Sequence, residues 1–382
     1  MVDFELEPYP GEDEVSYVKR KAYYYRMLKP RMTYDKPYEM KLISAAPLSS
    51  SDKKEISTFW EGYMPSNAVN QLIDYHYYGI YKRVMRENEL LSKYIPDSFY
   101  YLFIDDYYTN PQHSIPCDDK NLYDLYFHDI NRPKVLFRVM YDMLLDDDYN
   151  QISVEDAIAM AREHGEVILK ATRFLGSGHG VIFWNSATED DSIVRDLIKS
   201  SKNVVCQTLI KQHSELSRLN PTSVNTVRIM TLDFHGEIHV LSSIMRMGVN
   251  GSRVDNCYSG GVFCGIQPNG RLKNVAYDTF ANIYTRHPQG TAFESVAVPN
   301  YGECIDLVTM LAKRFSSISR LISWDLAIGE DGHPIMIEFN VSCGGLDVHQ
   351  LPNGPIFGDL TEDVLIDVFA NSYTLKSIMK SL

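Results

Sequence analysis

The sequence lacks paired cysteines, long apolar runs and clusters of basic residues. Its six cysteines are scattered, with no Cys-x-x-Cys pair and no histidine spacing suited to zinc, which predicts reduced thiols in a cytoplasmic protein. No apolar run approaches the roughly 18 residues that span a bilayer. The acidic N-terminus also lacks the basic-then-apolar pattern of a secretion signal. We therefore expect a soluble protein without a transmembrane segment.

The acidic balance of the chain argues against one broad class of partner. The formal net charge is −13 at pH 7, whereas a nucleic-acid-binding surface needs clustered lysine and arginine. An anionic small molecule remains compatible with this charge if a local basic pocket exists. With 382 residues, the chain exceeds the usual size of a single core, so one large domain or two coupled domains are expected.

The predicted secondary structure changes along the chain from mainly helical to a mixture of strands and helices. Residues 1–115 read as a mainly helical region rich in tyrosine, of which the whole chain has 26. Farther along, short apolar strands are joined by tight turns and separated by helices with capping residues. This alternation predicts an α+β fold with antiparallel sheets, not a doubly wound parallel sheet.

The most informative segment, residues 322–340, predicts a hairpin around a Gly-Glu-Asp-Gly-His-Pro turn. Asp325 lies on its first strand, while Glu338 and Asn340 are two positions apart on the second and so face the same way. The hairpin can bring Asp325 opposite them. Three hard oxygen donors would then suit a magnesium ion that bridges phosphates. The alternative is a hairpin whose polar face is only solvated.

A lysine and a glycine-rich turn come next in importance. Lys170 ends an apolar strand, and residues 176–180 read Gly-Ser-Gly-His-Gly. Such a lysine can point into a cleft, and glycines let backbone N–H groups approach phosphate oxygens. No Gly-Lys-Ser/Thr begins a helix here, so the turn is not of the Walker type. An ordinary hairpin is the competing interpretation.

Two further segments carry polar groups at the ends or in the middle of apolar strands. Residues 203–210 form a predicted strand whose last residues can hydrogen-bond an adenine edge through the backbone, although an ordinary core strand is the alternative.

Arg228 and Arg246 lie on neighbouring apolar strands and predict an anion site, because guanidinium forks match carboxylate and phosphate. Structural salt bridges are the alternative for these arginines.

Taken in order, residues 116–360 resemble the ATP-grasp superfamily, in which two α+β lobes clasp ATP. Lys120 and Lys170 resemble its two nucleotide-binding lysines. The predicted metal ligands match those of the superfamily in order, type and spacing: Asp325, Glu338 and Asn340. The resemblance also implies a phosphate-covering loop, Gly176, Ser177, Gly178 and Gly180, and an adenine hinge, Gln207, Thr208, Leu209 and Ile210. Two departures are Gln207, where glutamate is commoner, and His179, where a second consecutive glycine is usual.

A narrower resemblance concerns the second half of the chain. Arg228, Arg246 and Asn256 are similar to residues that hold the acyl-phosphate and the substrate carboxylate in the glutamate-ligase and glutathione-synthetase branch. The tyrosine-rich front end and residues 338–350 resemble the sugar-transfer-associated subgroup, which is linked to bacterial surface-polysaccharide synthesis. The implied boundaries are a helical region at 1–115, a nucleotide-binding lobe at 116–215, and a lobe with the magnesium and phosphate site at 216–382.

The resemblance implies an ATP-dependent carboxylate–amine ligase that works through an acyl-phosphate. Its cofactors would be ATP and one or two Mg²⁺ ions, with Mn²⁺ as an alternative. Small carboxylates and amines, of the sugar or amino-acid class, would be the substrates, and polysaccharide-synthesis enzymes the associated proteins. Two alternatives stay open: a phosphotransferase acting on a sugar hydroxyl, and a non-catalytic nucleotide-binding regulatory module. A cysteine enzyme built on Cys343 is a weaker candidate, because no His–Asn partner is evident.

Overall fold

The computed structural model describes most of the chain. The described residues are 14, 45–109, 111–172, 180–255, 257, 260–342, 344–372, 375, 376 and 379. Residues 12–28, in which acidic residues come early and basic residues late, predict a helix, and they lie outside the described residues apart from Glu14, which is helical. Among the described residues, none of the helices is both long and apolar enough to cross a membrane.

The described front part of the chain is helical, as the sequence predicts. Three helices, Ser50–Glu61, Ser66–Leu72 and Tyr75–Lys82, lead into a run of shorter helical segments. The first begins with a capping box, in which the side chains of Ser49 and Asp52 each accept a hydrogen bond from the other's backbone N–H. Trp60 is fully buried and donates a 2.6 Å hydrogen bond to the hydroxyl of Tyr78. The shorter segments are Leu91–Lys93, Asp97–Phe99, Tyr100–Ile104, Asp105–Tyr108, Pro111–Ser114, Ile115–Asp118, Lys120–Leu122 and Tyr123–Tyr126.

A five-stranded antiparallel sheet forms the smaller lobe, with strand order β2-β1-β5-β3-β4. The strands are β1 Val135–Met140, β2 Met143–Asp146, β3 Glu166–Ala171, β4 Val181–Asn185 and β5 Asn203–Thr208. Two helices, Val154–His164 and Ser192–Ser200, share a core with the sheet because their apolar residues recur at helical spacing. This core includes Phe137, Leu169 and Trp184.

A seven-stranded antiparallel sheet forms the larger lobe, with strand order β10-β9-β8-β7-β6-β11-β12. The strands are β6 Thr226–Phe234, β7 Glu237–Met247, β8 Val262–Ile266, β9 Leu272–Tyr277, β10 Ile283–Tyr284, β11 Leu321–Ile328 and β12 Pro334–Asn340. The remaining helical segments are Ser214–Ser217, Phe293–Ser295, Tyr301–Phe315, Leu346–Asn353, Gly358–Leu360 and Thr361–Asn371.

Helices pack against both faces of the larger sheet, which makes this part of the protein three layers thick. One face packs against the helix Tyr301–Phe315, with Val227, Ile229 and Trp324 in the shared core. The other face, carrying Met230 and Leu232, packs against the front helices and the helices that follow β12. All eight residues of β11 are buried for this reason, and the strand that carries Asp325 is therefore held rigidly in place.

Candidate active site

A cleft of about 470 Å³ runs between the two sheets, and residues of both lobes line it. The small sheet contributes Lys170, and the large sheet contributes residues of β6, β7, β11 and β12. Ten of the residues predicted for the site line this cleft together: Lys120, Lys170, Thr208, Leu209, Ile210, Arg228, Arg246, Asp325, Glu338 and Asn340.

The register of three strands brings the central side chains together. Asp325 on β11 lies directly opposite Glu338 on β12 and opposite Arg228 on β6. Asn340 lies opposite Ser323, two residues before Asp325. A bulge follows the Asp325–Glu338 pair and inserts Ile337, which also lines the cleft. The two carboxylates and the amide predicted as metal ligands are thus gathered at one end of the hairpin.

Asp325 is the most tightly held of these groups. Its side chain is 2% exposed. Arg228 donates two hydrogen bonds of 2.7 Å to it, one from Nε to Oδ1 and one from Nη2 to Oδ2. Arg246 Nη1 approaches Asp325 Oδ2 at 3.5 Å. Burial alone would raise the pKa of Asp325, but the two guanidinium groups outweigh it and hold that pKa at about 2. Asp325 is therefore fully ionised at neutral pH.

Arg246 has a second carboxylate partner on the loop that follows β7. Its Nη2 lies 2.9 Å from Asp255 Oδ2, and its Nε donates to the hydroxyl of Thr226, which in turn donates to Asp255. Both arginines are thus engaged in ion pairs, which is the contact pattern that the salt-bridge interpretation predicts. They also line the cleft, and the same pairs fix their positions there.

Two lysines complete the opposite side of the cleft. Lys120 Nζ lies 2.6 Å from Glu338 Oε1. Burial and the neighbouring Lys120 ammonium lower the pKa of Lys170 to about 8. Among the described lining residues, six side chains are cationic and three are anionic, although the whole chain is acidic. The cleft is therefore a local basic site suited to a polyphosphate.

The donor set also fits a magnesium ion, provided that the ligand supplies oxygens. No cluster of three or more His, Cys, Asp or Glu side chains that could hold a metal occurs within the described part of the chain. Asp325, Glu338 and Asn340 supply two carboxylates and one amide, and Mg²⁺ is often held by one or two carboxylates plus substrate phosphates. Each carboxylate oxygen has two lone pairs, so the bonds to Arg228 leave room for a metal.

Other predicted residues lie outside this group. Gln207 is a buried residue of β5, paired with Ile168 and Val135, and the described cleft lining starts one residue later at Thr208. Gly180 precedes β4 with φ of 75°, a conformation that favours glycine, and its carbonyl accepts a hydrogen bond from Ala171. Outside the described residues lie Gly176, Ser177, Gly178, Asn256 and Cys343.

Two residues outside the predicted site also shape the cleft. Arg253 lines it, stacks on the ring of Phe183 at 3.8 Å and donates to Glu166 Oε1 at 2.6 Å, so it bridges the two lobes. Gln212 donates to the carbonyl oxygens of Asn220 and Ser223, which fixes the loop after the predicted adenine hinge. Long-range partners of this kind leave no local pattern in the sequence.

The architecture and the shared cleft define the class of protein. Two α+β lobes with antiparallel sheets enclose a basic cleft that carries two lysines and a carboxylate-rich hairpin, and the chain has the ATP-grasp fold. The family model described as sugar-transfer associated ATP-grasp matches residues 103–364. The chain therefore belongs to the sugar-transfer-associated ATP-grasp family.

Solved structures give distant matches, and a search of curated proteins gives none. D-alanyl-alanine synthetase A from Vibrio cholerae matches at 14% identity and a TM-score of 0.45, over 69% of this chain and 68% of that one. An L-amino acid ligase from Bacillus licheniformis matches at 16% identity and a TM-score of 0.38, over 65% and 48%. D-alanine–D-alanine ligase from Bacillus anthracis matches at 14% identity and a TM-score of 0.40, over 87% and 96%.

Proposed function

We propose that the protein is an ATP-dependent carboxylate–amine ligase that works through an acyl-phosphate. One observation carries the proposal: a single cleft contains lysines, arginines, two carboxylates and an amide drawn from both lobes. Membership of an ATP-grasp family supports ATP as the nucleotide. The family's description, sugar-transfer associated, supports a link to sugar metabolism. A carboxylate and an amine as the substrates are part of the proposal.

The lysines and the hinge would bind the nucleotide. Lys120 and Lys170 would hold the α- and β-phosphates, and residues 208–210 would bind the adenine through their backbone. Asp325, Glu338 and Asn340 would hold Mg²⁺, or Mn²⁺ in its place, which neutralises phosphate charge when bound. The glycine-rich loop would cover the phosphates and exclude water, which otherwise hydrolyses an acyl-phosphate.

The arginines would act on the transferring group. An oxygen of the substrate carboxylate attacks the γ-phosphorus of ATP, the bond to the β–γ bridging oxygen breaks, and ADP leaves. The amine then attacks the acyl carbon, phosphate leaves, and the amine loses a proton. Arg228 and Arg246, with Asn256, would steady the phosphoryl group and the acyl-phosphate. Positioning and charge stabilisation of this kind supply most of the catalysis in phosphoryl transfer.

The low pKa of Lys170 predicts a specific pH dependence of ATP binding. The ammonium is charged below its pKa of about 8 and loses its charge above it. ATP affinity should therefore weaken about tenfold between pH 7 and pH 9, because only the charged form attracts phosphate. Titration calorimetry at both pH values measures the change. Lys170→Arg, which stays charged, should bind ATP equally well at both, and an identical pH dependence in that variant would contradict the assignment.

A substrate screen tests the proposed function directly. Purified protein with Mg²⁺ is assayed for ADP release against pools of amino acids, amino sugars and uronic acids, and products are identified by mass spectrometry. An amide formed with one ADP per product supports the ligase. A phosphorylated hydroxyl without an amide would identify a phosphotransferase instead. ATP binding without turnover against any pool would favour a regulatory nucleotide-binding module in the cytoplasm, acting on polysaccharide-synthesis enzymes.

A further inference from the structure

A fully buried arginine lies behind the turn that carries Lys120. Arg138, on β1 of the small sheet, has no exposed side-chain surface. Its Nη1 donates to the backbone carbonyl of Asn121 at 2.6 Å, and its Nη2 lies 2.5 Å from Asp124 Oδ2. The guanidinium also stacks on the ring of Tyr149 at 4.0 Å. Arg138 therefore contacts the residue next to Lys120 without lining the cleft itself.

The backbone on both sides of Lys120 is fixed to the small sheet. The N–H of Lys120 donates to the carbonyl of Thr172 at 3.2 Å. The carbonyl of Asn121 accepts a second hydrogen bond, at 2.8 Å, from the hydroxyl of Tyr149. The buried amide of Asn121 donates to the carbonyl of Val139 and to Thr172 Oγ1. Among the hydrogen bonds that fix the turn around Lys120, Arg138 therefore supplies the charged donor.

The same segment is attached to the large lobe by aromatic packing. The rings of Tyr123 and Phe127 lie 5.4 Å and 5.0 Å from the ring of Phe339. Phe339 stands between Glu338 and Asn340, the proposed metal ligands. The segment at residues 120–127 therefore contacts both Arg138 of the small lobe and the hairpin of the large lobe. The 2.6 Å contact between Lys120 and Glu338 belongs to the same segment.

We propose that Arg138 is a positioning residue that acts through the Asn121 carbonyl to hold the Lys120 ammonium at the phosphate end of the cleft. The inference rests on the proposed function, because it assigns Lys120 to the phosphates of ATP. A guanidinium suits this task because its planar fork reaches a carbonyl and a carboxylate at once. A lysine has one ammonium on a flexible stem and cannot hold both acceptors in the same geometry. Burying a charge is also costly, so packing alone does not explain an arginine here.

The test compares ATP binding with adenosine binding in the full-length protein. Arg138→Lys is expected to weaken ATP binding about tenfold, because a small displacement of a binding group has large effects. Adenosine, which lacks phosphates, should bind with unchanged affinity. Arg195→Lys serves as the matched control in the same lobe, since Arg195 pairs only with Glu155 among the contacts described and lies on the helix Ser192–Ser200. This control should leave both affinities unchanged.

A double-mutant cycle separates positioning from general damage. In a Lys120→Ala background, Arg138→Lys should cause no further loss of ATP affinity, because its effect passes through Lys120. Additive losses, or an equal loss of adenosine binding, would overturn the inference and leave the proposed function standing. Normal ATP binding by Lys120→Ala would instead overturn the assignment of Lys120, and the inference with it. If Arg138→Lys does not fold, Tyr149→Phe replaces it in the same cycle, with a smaller loss expected from one missing hydrogen bond to the same carbonyl.

Discussion

Replacing Glu338 with alanine is expected to abolish ATP turnover. Glu338 lines the cleft opposite Asp325 and contacts Lys120, so its loss removes a proposed metal ligand and the partner of a lysine that we propose binds phosphate. Removing a charge-stabilising group at such a site costs roughly 3–4 kcal/mol, or about 100- to 1,000-fold in kcat. ADP release measured with a coupled assay at saturating ATP and Mg²⁺ checks the expectation.

The same hairpin offers a matched control for this experiment. Glu330 is an exposed glutamate at the hairpin turn, away from the cleft. Glu330→Ala should retain normal turnover, which would show that a lost glutamate on the hairpin is not harmful in itself. Wild-type ATP consumption by Glu338→Ala would remove Glu338 from the metal site and leave Asp325 and Asn340 without their proposed third partner.

Arg228→Ala is expected to destabilise the folded protein by roughly 3–5 kcal/mol and to abolish activity. The substitution leaves the buried carboxylate of Asp325 with only the more distant Arg246, 3.5 Å away, and a buried charge that has lost its main partner is costly. The pKa of Asp325 in the folded protein is about 2, below its ordinary 3.8, so the stabilisation is complete above about pH 4 and is lost as the pH falls through 2. Urea unfolding at pH 7 therefore measures it in full.

Two further variants separate the structural role of this ion pair from its chemical role. Arg314→Ala breaks a surface pair with Asp129, in which both side chains are about a third or more exposed, and should cost no more than about 1 kcal/mol. The double variant Arg228→Met with Asp325→Leu removes both buried charges and should regain much of the lost stability while remaining inactive. Equal destabilisation by Arg228→Ala and Arg314→Ala would contradict the importance of the buried fork.

The hairpin was predictable because its information is local. Two apolar strands around a turn fix the face on which Glu338 and Asn340 lie, and the structure has these strands at Leu321–Ile328 and Pro334–Asn340. The helical front end and the antiparallel sheets were also correctly predicted, since turn residues and hydrophobic spacing specify them locally. The domain boundaries at residues 115 and 215 stay predictions, as do the roles assigned to the individual site residues.

What escaped prediction depends on contacts between distant parts of the chain. The sequence shows that Arg228 and Arg246 lie on apolar strands, but not that both converge on Asp325. Apolar positions near helical spacing at residues 66–94 favour helix but do not show where one helix ends and the next begins; in the structure Asp74 caps a new helix after Leu72. The bridge from Arg253 to Glu166 joins two lobes through residues 87 positions apart, and no local pattern encodes it.

The double coverage of the large sheet has a consequence for how the protein can be divided. The front helices are an integral part of the fold, because they are hydrogen-bonded to the helices that follow β12. The backbone of Ile95 exchanges two hydrogen bonds with the side chain of Gln350, and the hydroxyl of Tyr108 donates to Asp367. A fragment trimmed to the family-matched stretch, residues 103–364, would lose the helices before residue 103 and most of the helix Thr361–Asn371, and would expose the apolar residues around Met230 and Leu232. Such a fragment should aggregate, so any minimal version of this protein has to keep its front end.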